Sequence, residues 1–183
     1  MDYEALFDAI HPGFFREPRI AALPEDRAFV EMALDLRGEP PTLEPARCPD
    51  GIAFGVYPAD APGLRNAVER VNRDWTRYFT GGERAFCATA DDAFVAFCLL
   101  SDMGRHQGLH VCGPGCVGTV PERRRQGVGL EMVRRATELL RREGCDLSWI
   151  HYTRLERWYG RLGYRTVLRW NCRGFLPDGE DRP

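Results

Sequence analysis

Apolar side chains recur along this chain with two different periods, and the changes between them mark out its elements. Over residues 61–79, Leu64, Val68, Val71, Trp75 and Tyr78 fall at i, i+4, i+7, i+11 and i+14, the stripe of an amphipathic helix. Pro62 stands near its first turn, where a missing N–H costs little, and Gly81-Gly82 ends it. A second stripe over 127–143 uses Leu130, Val133, Ala136 or Thr137, and Leu140, and stops at Gly144. A short helix is expected over 154–162, with Gly163 as its left-handed stop. Between the helices, 52–57, 84–90, 93–100, 109–120, 145–152 and 164–172 read as strands, with Asp91-Asp92 closing a hairpin. Gly113-Pro114-Gly115 interrupts the strand at 109–120. Proline cannot donate to a ladder, so a bulge or a splayed edge is expected there.

Residues 1–37 read as helical and partly amphipathic, broken at Pro12-Gly13, and the Pro-rich stretch 38–51 reads as a surface linker. The expected organisation is a helical extension with its linker over 1–50 and one domain over 51–183. Beyond the prefix the order is β-α-β-β-β-α-β-α-β. It predicts an α/β (mixed α+β) fold, a mixed sheet covered by helices, and argues against a bundle or a sandwich.

Composition narrows the class. The chain has 183 residues, 44% hydrophobic and 28% charged, a globular composition of single-domain size. The first residues carry acids where a secretory signal would carry basic residues, and there is no long apolar run, so a cytoplasmic protein without a membrane partner is expected. Net charge is −2 with 25 basic residues, every one of them Arg. That balance does not suggest a nucleic-acid partner, yet basic residues outnumber acids over 122–142, which suits a small anionic ligand. The seven cysteines form no C-x-x-C pair. His110, Cys112 and Cys116 lack a second ligand pair at a zinc spacing, so no metal is expected.

The most informative segment is VGTVPERRRQGVGLEMV (117–133). A strand ends, Pro121 turns the chain, and Arg124-Arg125-Gln126-Gly127-Val128-Gly129 opens a helix. Helix-terminal amides and two glycines there make an anion site suited to a phosphate. Arg123 to Arg125 add charge and bidentate donors. It is not a Walker A loop, because no Lys-Ser or Lys-Thr follows, and its spacing differs from a dinucleotide fingerprint.

V-x-P-x-x-R-x-x-G-x-G at the start of a helix resembles the pyrophosphate loop of the GNAT superfamily of acetyl-CoA-dependent N-acetyltransferases. About 30 residues on, Trp158-Tyr159-Gly160-Arg161-Leu162-Gly163-Tyr164 resembles that family's second element, a short helix carrying an aromatic-Tyr pair. The resemblance spans roughly 52–171. It implies acetyl-CoA as cosubstrate, with Val117, Gly118, Thr119 and Val120 along its acetyl and pantetheine end. The loop Arg124, Arg125, Gln126, Gly127, Val128, Gly129 and Leu130 would hold its diphosphate, and Tyr159 would protonate the departing thiolate. Arg125 stands where the family usually has a glycine, and Tyr152 where it often has Asn.

An amine acceptor must lose a proton before it attacks a thioester, so a base is required. His151, at the end of a strand beside the site, is the first choice, ahead of His110 and Glu122. Cys116 reads as a small buried hydrophobe, and core packing is the default for at least two of Trp149, Trp158 and Trp170. The prefix, with Phe14-Phe15, suits either a cover for the acceptor site or a homodimer contact. The reading is an acyltransferase acting on an amine of a small molecule or peptide. Its alternatives are transfer of a longer acyl group and a non-catalytic acyl-CoA-binding regulator. Gly127→Val is expected to weaken acetyl-CoA binding with the fold intact.

Overall fold

A computed structural model describes residues 1–39 and 45–177; positions 40–44 of the expected linker and 178–183 of the polar tail lie outside that range. The strands are β1 (Phe29–Asp35), β2 (Ala53–Pro58), β3 (Arg84–Ala90), β4 (Ala93–His106), β5 (Leu109–Thr119), β6 (Leu147–Thr153), β7 (Arg165–Asn171) and β8 (Gly174–Phe175). The helices are α1 (Tyr3–Ile10), α2 (Pro18–Ala21), α3 (Leu64–Val71), α4 (Val128–Arg142) and α5 (Glu156–Gly160). All eight strands form one mixed sheet in the order β2-β3-β4-β5-β6-β1-β7-β8. Among the described residues no helix is long and apolar enough to cross a membrane.

Two expectations are corrected here. Residues 29–35 are a strand, not a helix, and β1 lies between β6 and β7, antiparallel to both. The prefix therefore supplies an interior strand of the sheet, and the sheet crosses the division expected at residue 50. The helix read over 61–79 stops at Val71. There Asn72 turns extended and its side chain accepts the Asp74 amide, starting a 3₁₀ turn over Arg73–Arg77.

Alternate residues of a strand face opposite sides, and the two sides of this sheet bury different cores. Ile150 of β6 joins α3 and α4 on one face; Leu147 and Trp149 join α1 and α2 on the other. On that second face Leu6, Phe7 and Ile20 pack with Trp149 and Trp170, all without solvent exposure. Each such side chain contributes about 1.5–3 kcal/mol by leaving water. Trp149 and Trp170 are thus core residues.

The site is positioned by the one parallel pairing among the described residues. β5 and β6 are in register only at Val111↔Leu147 and Cys112↔Ser148. Beyond that point β5 runs on to Thr119 along β4 alone, and β6 runs on to Thr153 along β1. The two strands splay apart and leave the facing edge of β5 without ladder partners. Pro114 sits on this freed stretch, opposite Leu100 of β4, so its missing donor is tolerated. The bulge itself is later than expected. The register slips between Leu99↔Gly115 and Phe97↔Gly118, and Cys116 takes φ 48° to absorb the extra residue.

Candidate active site

Where β5 ends, Pro121–Arg123 make a 3₁₀ turn, and Arg125 (φ 61°) and Gly127 (φ 81°) then swing the chain into α4. Arg125 adopts the left-handed backbone a glycine would favour, so the substitution keeps the turn at the cost of local strain. The first helical bond runs from the Glu131 amide to the Gly127 carbonyl. The amides from Arg125 to Leu130 make no hydrogen bond among the described residues. They are the orphan donors of a helix start, at the positive end of its dipole.

The same residues line a cavity of about 1010 Å³, together with Val117, Gly118 and Thr119 at the end of β5 and Trp158 and Leu162 from the α5 region. Arg124 and the other expected loop residues are brought together there. Val120 is not: it is 1% exposed and its amide bonds the Val95 carbonyl. Pro45, Ala46 and Arg47 also line the cavity, a contribution the linker reading missed. Gly129 lets helix and strand meet, since a Cβ on it would lie 2.5 Å from Thr119 Oγ1. A Cβ on Gly127 would lie 2.2 Å from the Arg47 carbonyl oxygen. Gly127→Val therefore also displaces the 45–47 segment, and a loss of binding would not isolate the amide cradle as expected from sequence.

Charge in the cavity is strongly positive. Arg47, Arg123, Arg124, Arg125, Arg134 and Arg161 line it, against Glu131. Glu131 is 2% exposed. It accepts from Arg134, Arg135 and the Ala46 amide. Burial pushes its pKa up, but the two arginines outweigh that and hold it below the usual carboxylate range. Among the described residues Arg123, Arg125 and Arg161 make no ion pair. They remain available to an anion.

The expected catalytic residues are less simply placed. Tyr159, on α5, is 4% exposed and does not line the cavity. Its ring packs edge-on against Trp158, which does. Its hydroxyl has no hydrogen-bond partner among the described residues, and burial drives its pKa far above the ordinary phenol value. His151 lies on the other face of the sheet, outside the cavity lining, stacked on His11 at 3.9 Å. Its Nδ1 faces Glu31, 3.0–3.1 Å from both carboxylate oxygens. Glu31 is wholly buried and also accepts Trp149 Nε1, Trp170 Nε1 and the Tyr152 amide. This carboxylate, missed in the sequence, fixes the ring of His151. Tyr152 packs against Phe29 and Trp170, away from the cavity. Glu122 is paired with Arg70, which holds it anionic and below its usual pKa. His110 sits on β5 before the splay, bonded to Asp102. Burial pushes the Cys116 thiol up to about 11, which fits the inert reading.

A strand that leaves its neighbour, a basic helix-start loop beside it and an aromatic helix across the opening together bound one basic cleft. Residues 81–166 match the family model described as acetyltransferase (GNAT) domain. Among solved structures, the GCN5-related glucosamine N-acetyltransferase region of a fungal multi-domain GH3 beta-N-acetylglucosaminidase aligns at 20% identity and TM-score 0.61, over 79% of this chain and 20% of that one. A GCN5-related N-acetyltransferase from Kribbella flavida aligns at 22% identity and TM-score 0.57, over 79% and 56%. One from Sphaerobacter thermophilus gives 21% and 0.54, over 79% and 50%. The chain thus spans a fifth to about half the length of these structures, and at such identities the likeness is one of fold. No curated protein gives a significant sequence match.

Proposed function

We propose that this protein is an N-acetyltransferase carrying an acetyl group from acetyl-CoA to an amine of a small molecule or peptide. The observation that supports this most is the row of partnerless amides from Arg125 to Leu130, set among arginines free of ion pairs. A diphosphate uses both kinds of donor at once. Acetyl-CoA, when bound, would supply a thioester whose carbonyl carbon accepts the amine, with the coenzyme A thiolate as leaving group. The freed edge of β5 at Val117–Thr119 offers backbone groups to the pantetheine arm in the manner of an added strand. Tyr159 carries its proton at neutral pH, as a phenol does, and is the proposed donor to the departing thiolate. His151, the base expected from sequence, is held by Glu31 outside the cavity lining, so it can take the amine's proton only from an acceptor that enters the splay from the opposite face of the sheet.

One observation favours the alternative of a non-catalytic acyl-CoA-binding regulator: Tyr159 lies outside the cavity lining. Calorimetry with acetyl-CoA, paired with thiol release over a panel of amines including glucosamine and peptide N-termini, separates the two. Amine-dependent release supports transfer, and butyryl-CoA in the same assay reports acyl length. Binding without release from any amine favours the regulator. Absence of binding removes both.

A further inference from the structure

At the end of β5 away from the cavity, three side chains of different chemistry converge without serving the function just described. The register sets Asp102 of β4 opposite Cys112 of β5, and His110 lies two residues earlier on the same face. Immediately after Asp102 the pairing slips at a bulge, where the Gly104 amide bonds Asp102 Oδ1 and fixes its carboxylate. His110 Nε2 stands 3.0 Å from Asp102 Oδ1 and 3.5 Å from Cys112 Sγ. All three donor atoms lie within 4.8 Å of one another.

We propose that Asp102, His110 and Cys112 form a binding site for a zinc-class divalent cation. The donor set is the borderline-soft mixture such ions prefer. Tetrahedral zinc bond lengths require about 3.3 Å between nitrogen and oxygen ligands and about 3.6 Å between sulfur and nitrogen, close to the separations present. The outer shell agrees. His110 Nδ1 is 3.3 Å from the Gly144 carbonyl, which can only accept, so Nδ1 carries the hydrogen. That leaves the Nε2 lone pair facing a carboxylate and a sulfur, the arrangement of a ligating imidazole held by a backbone carbonyl. A proton on Nε2 satisfies Asp102 but leaves Cys112 a spectator; a cation engages all three.

A hollow of about 90 Å³ opens at this point, and Cys145 lines it. Cys145 is 4% exposed and is the candidate fourth donor. The hollow also contains Arg84 and Glu143, which neutralise each other in a bidentate pair. The Asp102 carboxylate and the Cys112 thiolate by themselves balance a divalent charge, and a Cys145 thiolate would leave the site one charge negative. Cys116, grouped with His110 and Cys112 by sequence, is not part of the site; it stands at the bulge past the splay. The cation would tie β4, β5 and the turn before β6 together, independently of the coenzyme cavity.

The test is a cobalt titration of the full chain after reduction and removal of metals. One equivalent is expected to bind, with thiolate-to-cobalt charge-transfer absorption that zinc abolishes. Cys112→Ala should lose that absorption. Asp102→Asn alters an exposed side chain, so the fold is retained; it should weaken cobalt binding at least tenfold and leave acetyl-CoA affinity unchanged. Zinc should raise the melting temperature of the unaltered protein and not that of Asp102→Asn. No charge-transfer absorption, or absorption that survives in Cys112→Ala, overturns the site.

Discussion

At the scale of single residues, the roles proposed for Tyr159 and the loop separate by experiment. Among the described residues Tyr159 has no hydrogen-bond partner to lose, so Tyr159→Phe removes a proton donor with little effect on packing. Turnover should fall about 10²-fold or more, with acetyl-CoA affinity unchanged by calorimetry. Full turnover in the phenylalanine variant would move the proton donor elsewhere. The loop was legible because its chemistry is local. Helix start, glycines and arginines are adjacent in sequence, and the amides they free need no distant partner. Val120 was misassigned because nothing in its neighbourhood signals that Val95 claims its amide. Arg47 was missed for the opposite reason, since its carbonyl reaches Gly127 from 80 residues away. Such approaches belong to the tertiary structure.

At the scale of elements, β1 shows why a buried strand misleads. An interior strand, covered on both faces, has no alternation of apolar and polar residues. In FVEMALD the two acids, Glu31 and Asp35, fall four residues apart, the spacing of one face of an amphipathic helix. Glu31 is in fact the most deeply engaged polar group on the second face, accepting two indoles, an imidazole and an amide. Glu31→Gln keeps the shape but turns an N–H₂ toward donors that have no other acceptor. It should cost about 1–3 kcal/mol, and Glu31→Ala about 3 kcal/mol or more, both measured by urea unfolding. Unchanged stability in Glu31→Gln would show that this carboxylate does not clamp β1 to β6 and β7. The helices α3 and α4 were read correctly in kind because each covers one face only and keeps its stripe.

At the scale of the whole molecule, the aromatic layer between the prefix and the sheet makes stability depend on pH through His11. This residue caps the C-terminus of α1 and packs between Phe7, Phe14 and His151. Burial, then the neighbouring His151 and Arg19, lower its pKa from 6.5 to about 3; Glu31 faces the same stack across His151. Between those two values the unfolded chain holds a proton that the folded protein refuses, so stability falls as pH drops below 6.5. The slope is at most about 1.4 kcal/mol per pH unit, and smaller because solvent still reaches part of the ring. His110 is shifted the other way by Asp102, so its contribution is already complete below 6.5. The paired carboxylates Glu122, Glu131, Glu143 and Glu156 lose theirs only below 4.5. The window from pH 6.5 to 5 therefore isolates the stack. Urea unfolding at pH 7, 6 and 5 should show the unaltered protein losing about 1 kcal/mol more than His11→Phe across it. Parallel curves for the two proteins would mean that His11 accepts its proton without leaving the layer, and that the prefix is held to the sheet by its aromatic rings alone.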